Sequence, residues 1–510
     1  MDGLPMGRRA FSSTSPSFRA TARVGVAATG VALALLLVVA ASGCEPVPDG
    51  TPYDLVLAEG QVMDPESGLD AVRWVGIRDG RIATISQIPL AGADTLDAAG
   101  LVVGPGYIDL HAHGQDEENH RLFALNGVTT ALEMEVGTAE VDEWYREREG
   151  QARLNHGVSV GHLGVRIAFY DDPSDFLPSG PGGYAVATDE ELDTIRSHVR
   201  RGLEEGALGV GMGIQYTPGA TRWEVLEVFR EAATHQAPVF AHVRGFGVEE
   251  PGGSVEAFLE VMGAAALTGA PLHIAHLNSM SLEETPRTLQ MFEEALERGL
   301  DISAEAYPYS AGLTSIQSAL LDRYETAPDT ALERLQWAAT GEWLDRESFN
   351  RYREEGGAVV LHLNTPEMEA LAIEHPFTAI ASDGRIRDGV GHPRTAGTYA
   401  RVLGHYVRER GKLSLMDALR KMALIPAERL QEWSPDFRDR GRVREGAWAD
   451  LAVFDPETVE DRATYAEPAL PAVGFHHVLV NGIPVVRDGG VVEGVAPGTG
   501  IRAGSWSPGS

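Results

Sequence analysis

The stretch Gly104-Pro-Gly-Tyr-Ile-Asp-Leu-His-Ala-His113 puts two imidazoles at i and i+2 behind a short apolar run. On a β-strand, residues two apart point to the same face. His111 and His113 therefore aim at one point, which suits a divalent metal ion bound by neutral nitrogens. A lone His-x-His is common on protein surfaces. This pair gains weight from its place at a strand end, and from polar residues that close other apolar runs downstream.

Thr130-Ala-Leu-Glu-Met-Glu135 carries Glu133 and Glu135 within an apolar run. Val239-Phe-Ala-His242 and His273-Ile-Ala-His276 each end in histidine, and Ile380-Ala-Ser-Asp383 ends in aspartate. Taken singly, each has a duller reading: a core histidine satisfied by backbone, a buried ion pair, or turn chemistry. His162, His273 and His362 are read that way. Four histidines and two or three carboxylates at successive strand ends instead predict a site for one or two metal ions, with a position open to water.

The elements that must position them alternate in type. Apolar runs at 107–110, 128–132, 158–165, 208–214, 238–241, 272–275, 302–306 and 378–381 are separated by helical patterning or loops. Helical periodicity is clearest at 221–234, 281–298 and 414–424. Eight strands alternating with helices predict an α/β fold, a (β/α)8 TIM barrel over residues 104–442, with catalytic groups at the strand C-termini. Short alternating strands broken by turn signals occur at both ends, over 53–103 and 443–503. They predict one small β-sandwich domain built from both termini.

The chain has 510 residues, 43% of them hydrophobic, and a formal net charge of -32. That composition is globular, and the acidity argues against nucleic acid as a partner. Only two lysines are present, Lys412 and Lys421, and one cysteine, Cys44.

Beyond these features, Gly104–His113 and Ala381-Ser-Asp383-Gly resemble the amidohydrolase superfamily. Glu205-Gly-Ala-Leu-Gly-Val, Ile214-Gln-Tyr-Thr-Pro-Gly-Ala220, His276-Leu-Asn, Ala306-Tyr-Pro-Tyr-Ser-Ala-Gly312, His392-Pro-Arg394 and Gly441-Arg-Val-Arg-Glu-Gly narrow the resemblance to the N-acyl-D-amino-acid deacylases (D-aminoacylases), over roughly residues 53 to 503. The resemblance implies zinc as cofactor, with His242 and His276 on a tightly bound ion and His111 and His113 lining a second, weaker site. It implies Asp383 as general base, Tyr307 as a substrate contact and Arg394 as a clamp for the substrate carboxylate. The reaction implied is hydrolysis of an N-acyl-D-amino acid by a metal-activated water. A cyclic amidase or dipeptidase of the same superfamily is the alternative, and a non-catalytic metal- or ligand-binding lipoprotein a more distant one.

The chain departs from the family pattern at three positions. By spacing, the usual cysteine ligand after the second strand is Val136, the lysine two residues after the sixth-strand histidine is Asn278, and a serine near the carboxylate is Leu313. Both lysines lie beyond the eighth strand, so a carboxylated-lysine bridge between metals is closed, and Cys44 belongs to the leader. Glu135 is the expected substitute ligand, with Glu133 as alternative. A carboxylate there hardens the site, making manganese or cobalt plausible beside zinc.

Residues 1–44 read as a targeting segment. Arg8, Arg9, Arg19 and Arg23 precede an uncharged apolar run from Val24 to Ala41, then Ala-Ser-Gly-Cys44. This resembles a bacterial lipoprotein signal acylated at Cys44, with an uncleaved membrane anchor as alternative. Gly7-Arg8-Arg9-Ala10-Phe11 also resembles a twin-arginine export signal. The expectation is a lipid-anchored protein outside the cytoplasm, periplasmic or at the cell surface.

Overall fold

A computed structural model describes residues 52–504. Residues 1–44, read above as a targeting segment, lie outside the described residues, and Cys44 with them. No helix among the described residues is long and apolar enough to cross a membrane.

Eight parallel strands form the centre: Tyr107–Asp109, Val128–Thr138, Asn155–Gly161, Val210–Gly213, Val239–His242, Leu272–Ile274, Ile302–Ala306 and Thr378–Ile380. They lie side by side in chain order. Asn155–Gly161 and Val239–His242 are buried along their whole length, as parallel strands covered on both faces must be. The intervening helices carry clear start signals. Thr188 and Glu191 form a capping box on Asp189–Glu204, and the Thr221 hydroxyl caps Arg222–His235.

The barrel closes at a short seam. The first and eighth strands have three residues each, and past their ends a single bridge joins Ala112 to Gly384. The buried Asp109 carboxylate completes the join, accepting the backbone N–H of His111 and of Ser382, both at 3.0 Å. The tips carrying His111–His113 and Asp383 are thereby held together.

Two differences from the expected elements have physical causes. The third strand ends at Gly161, and His162 opens a helix, His162–Phe169. An apolar run cannot by itself separate a strand from a buried helix. At the junction Gly161 lies against the second strand, where a Cβ would come 1.9 Å from the Val136 carbonyl oxygen. Between the seventh and eighth strands the chain also inserts a small antiparallel sheet of Gly312–Ser315, Ala358–Leu361 and Leu335–Trp337, which had no clear signature in the sequence.

Strands from the two ends of the described chain share one nine-stranded sheet. Val102–Pro105 pairs antiparallel with Leu451–Phe454, joining the early strands to the late ones. Asp450 ties this sheet to the barrel. Its carboxylate accepts from Arg440, from the Asn481 backbone at 2.7 Å, and from Asn155 at the start of the third barrel strand at 3.1 Å. Arg440 and Asp450 are both 2% exposed, and without Asp450 the buried guanidinium keeps Asp436, at 2.7 Å, as its carboxylate partner while the Asn481 and Asn155 donors lose theirs. Asp450→Ala should lower the unfolding free energy by about 3–5 kcal/mol, read from urea denaturation against the parent protein.

Candidate active site

The expected residues meet at the C-terminal rim of the barrel, in two groups that share Glu135. In the first, His111 Nε2 lies 3.0 Å from His113 Nε2 and 2.8 Å from Glu135 Oε2. Asp383 Oδ1 is 3.6 and 3.3 Å from the same two nitrogens. In the second, Glu135 Oε1 lies 2.8 Å from His242 Nδ1, and His276 completes the set. Within each group the ligand atoms lie within 4.8 Å of one another. Donors around a four-coordinate zinc at about 2.0–2.2 Å sit roughly 3.3 Å apart, so the spacing fits. Nitrogen facing nitrogen beside carboxylate oxygens is a donor set that calls for a cation between them.

Glu135, not Glu133, therefore occupies the shared position. Glu133 takes a supporting one: its Oε2 is 2.8 Å from His113 Nδ1, and its Oε1 accepts the backbone N–H of Val136 at 3.2 Å. Val136, which the spacing had aligned with the family's cysteine, lies on the cavity wall and brings no ligand atom.

Backbone geometry aims two of these side chains. His276 and Asp383 lie just past their strands, which end at Ile274 and Ile380, with φ of 30° and 51°, in the left-handed region. Such non-glycine conformations cost about 1–3 kcal/mol and persist only where the surroundings impose them.

The site's field is that of carboxylates holding positive charge. Burial disfavours charge on His111, yet Asp383 and Glu305 outweigh it and raise its pKa to about 10. His113 is likewise raised, against burial, chiefly by Glu133. His276 goes the other way, to about 3, through burial and the neighbouring His242. Burial opposes the charges of Glu135 and Asp383, but His242 holds Glu135, and Arg394 with His111 holds Asp383, well below the usual carboxylate range.

Arg394 is 2% exposed and stacks over the Tyr307 ring at 4.6 Å. One of its terminal nitrogens forms an ion pair with Asp383 at 2.9 Å, while Nε and the other terminal nitrogen have no hydrogen-bond partner among the described residues. A buried guanidinium with two idle donors is a ready partner for an anion. Tyr307 and Arg394 face a recess walled by Phe246, Met280, Leu282 and Leu363. On the other side, a cavity of about 620 Å³ is lined by His113, Glu135, Phe176 and Arg385.

Some participants escaped sequence reading. Glu305 reaches His111 from the seventh strand, Gln215 reaches His242, and Ser279 reaches His276. Glu305 carried a usable signal, an acid inside the buried run Ile302–Ala306, the same cue that pointed to Glu133 and Glu135. Gln215 lay inside the Ile214–Ala220 motif without being singled out, and Ser279 had no signal. His273, read as an ordinary core histidine, is a buried partner of Glu305 at 3.0 Å.

Barrel, strand-end imidazoles and shared carboxylate define a class: an α/β-barrel protein with a divalent-metal site at its C-terminal rim. A family model described as "Amidohydrolase family" matches residues 187–486. D-aminoacylase of Alcaligenes xylosoxydans xylosoxydans is 32% identical, covering 86% of this chain and 96% of its own length. N-acyl-D-glutamate deacylase of the same organism is 30% identical, over 85% and 93%. Among solved structures, N-acyl-D-glutamate deacylase from Bordetella bronchiseptica, complexed with zinc and a phosphonate mimic of the tetrahedral intermediate, superposes with a TM-score of 0.75 at 27% identity, covering 89% of this chain and 100% of that one. A D-aminoacylase structure concerned with the role of its binuclear metal center gives 0.76 at 26%, covering 88% and 100%. The chain belongs to the amidohydrolase superfamily, in its N-acyl-D-amino-acid deacylase (D-aminoacylase) family.

The cavity wall bearing Phe176 depends on one carboxylate. Asp172 accepts backbone N–H groups from Ser174, Ser179, Gly180 and Gly182 at 2.8 to 3.2 Å. Burial opposes its charge, but these donors hold its pKa below the usual range, so the stabilisation is present at neutral pH and fades as pH falls through the folded value. Asp172→Ala should speed amide exchange across residues 174–182 about tenfold, measured by hydrogen–deuterium exchange.

Proposed function

We propose that this protein hydrolyses the amide of N-acyl-D-amino acids with one or two divalent metal ions, zinc foremost, held by His111, His113, Glu135, His242 and His276. The observation that carries the reading is the convergence of Glu135 and the four imidazoles beside an ionised Asp383, next to an Arg394 with donors to spare. The names of the relatives at 32% and 30% identity support the D-amino-acid part.

When bound, the ion supplies a Lewis acid for the acyl carbonyl and makes water easier to deprotonate. Asp383, ionised at neutral pH, takes the proton of the attacking water and returns it to the leaving amine nitrogen. Arg394 offers its free terminal nitrogen, Nη1, to the substrate carboxylate beside the Nη2 that pairs with Asp383. Tyr307, stacked beneath that guanidinium, stays protonated, because burial pushes its pKa up to about 12, and its hydroxyl is a donor to the same carboxylate.

Asn278 and Leu313 stand where the family resemblance implies a lysine and a serine, so Arg394 and Tyr307 carry the carboxylate between them. The Asn278 side chain is turned away, donating to the Tyr307 carbonyl at 3.0 Å. With Phe246, Met280, Leu282 and Leu363 around the recess, the side chain accommodated best is apolar.

For the first 44 residues we keep the sequence reading: a lipoprotein-type leader, acylation at Cys44 and a location outside the cytoplasm. Mass spectrometry of the membrane-extracted protein tests it through the mass of the N-terminal peptide.

Asp383→Asn should lower kcat on N-acetyl-D-leucine by at least about 10²-fold while the zinc content is unchanged. Undiminished turnover would remove Asp383 from the chemistry. Glu135→Ala should strip metal as well as activity, by elemental analysis. On the parent enzyme, kcat/KM for N-acetyl-D-leucine should exceed that for N-acetyl-D-glutamate by about tenfold or more, and the reverse order would mean that the apolar recess does not hold the side chain.

A further inference from the structure

The cavity on the far side of the metal histidines is much larger than an acetyl group fills. Its volume is about 620 Å³, in the range of pockets that enclose whole small molecules. His113 and Glu135 line it at the barrel rim, and Val136, Phe176, Leu177 and Leu313 give it apolar walls. With the substrate carboxylate on Arg394 and the side chain in the recess of Phe246 and Met280, this cavity falls to the acyl group.

Three arginines line it, in a chain with 74 acidic residues against 42 basic ones, so their gathering is not what composition alone would produce. Two of them have acids. Arg394 pairs with Asp383 at 2.9 Å, and Arg387 lies 4.0 Å from Asp175 at the exposed edge. Arg385 has none: its half-buried guanidinium lies 4.4 Å over the Phe176 ring and makes no side-chain hydrogen bond or ion pair among the described residues. Glu133 and Asp175 act on it only from a distance, and each already has a partner, in His113 and Arg387. Phe176 in turn meets the His113 ring edge to face, with centroids 5.1 Å apart. One aromatic ring thus separates an unpaired cation from the metal histidines.

The segments that carry this cation are fixed. Ile386, next in sequence, pairs with Gly391 in a short hairpin. The buried Asn119 holds both the Ile386 N–H, at 2.8 Å, and its carbonyl, at 2.9 Å. Phe176 sits on the loop ordered by Asp172. A guanidinium stacked on a ring between two such segments loses little freedom on binding, and without a counter-ion it is a ready partner for an anion.

We propose that the acyl groups this enzyme removes carry a carboxylate of their own, being short dicarboxylic acids joined through one end to the D-amino acid, with Arg385 binding the free end. This rests on the amide-hydrolysis reading above and names its acyl side. The span from His113 past one ring to the guanidinium suits a succinyl or glutaryl group, whose free carboxylate carbon lies roughly 4–5 Å from its amide carbon. The methylenes lie against the apolar walls, and the carboxylate takes two parallel N–H donors from Arg385. Water adds its hydroxyl to the acyl carbon, the C–N bond breaks and the amine takes the proton, releasing the free diacid and the D-amino acid. Arg385 touches the substrate away from the reacting atoms and sets acyl specificity.

The test compares N-succinyl-D-leucine with N-butyryl-D-leucine, which share a chain length and differ at the terminal carboxylate, on the full zinc-loaded chain. kcat/KM should favour the succinyl compound by about tenfold or more. In Arg385→Met, which keeps an unbranched stem over Phe176, that preference should fall by about 10–100-fold, and Arg385→Lys should keep part of it. A parent that does not prefer the succinyl compound overturns the proposal and leaves the hydrolase reading intact. So does an equal loss on both compounds in Arg385→Met.

A second readout does not depend on turnover. In calorimetric titrations of zinc-loaded Asp383→Asn protein, N-succinyl-D-leucine should bind about tenfold more tightly than N-butyryl-D-leucine, and adding Arg385→Met should erase the difference. Equal binding of the two compounds before that change overturns the proposal. If the difference stands while the parent hydrolyses neither compound, the hydrolase reading fails and the anion site remains.

Discussion

Asp109 makes the joint on which the remaining geometry hangs. The first and eighth strands are too short to close the barrel by a regular ladder, so one buried carboxylate spans them, accepting the N–H of His111 and of Ser382. The same contact sets the distance between the His111–His113 pair and Asp383. Burial pushes the Asp109 pKa up, and the hydrogen bonds from Ser382 and His111 pull against that. A group in this position cannot be exchanged for an apolar one without freeing two backbone donors in the barrel interior.

The interior above that joint is a compact alternation of acids and imidazoles. Glu133, Glu135, Glu305 and Asp383 meet His111, His113, His242 and His273 within hydrogen-bond or ion-pair distance, with His276 beside them, and almost all of these side chains are buried. Buried charge of this density is costly unless every member is paired. The pairing is nearly complete, and Arg394 is the exception, with two donors unused. Completeness around the imidazoles together with incompleteness at Arg394 is what divides the pocket into a metal-holding part and a substrate-holding part.

Nine strands at the other pole supply the rigidity that such a cluster needs. Asp450 links Arg440, Asn481 and Asn155, so the sheet built from both ends of the described chain is pinned to the start of the third barrel strand. The loop over the metal site is pinned in the same fashion by Asp172. In both places one carboxylate collects several donors, an economical way to order backbone in a chain this rich in acids.

The sequence by itself determined the alternation of strands and helices, the strand-end placement of His111, His113, His242, His276 and Asp383, and the exclusion of a lysine or cysteine bridge. These follow from local facts: apolar periodicity, the two-residue repeat of a strand, and the residue types available. Only the tertiary structure decided that Glu135 is shared while Glu133 backs His113, that the third strand stops at Gly161, and that Glu305, Gln215 and Ser279 stand behind the imidazoles. The reason is physical. Both glutamates lie on the same face of one strand, and what separates them is which histidine from another strand arrives opposite each. That depends on barrel closure, and closure brings together residues as far apart in sequence as His111 and Glu305.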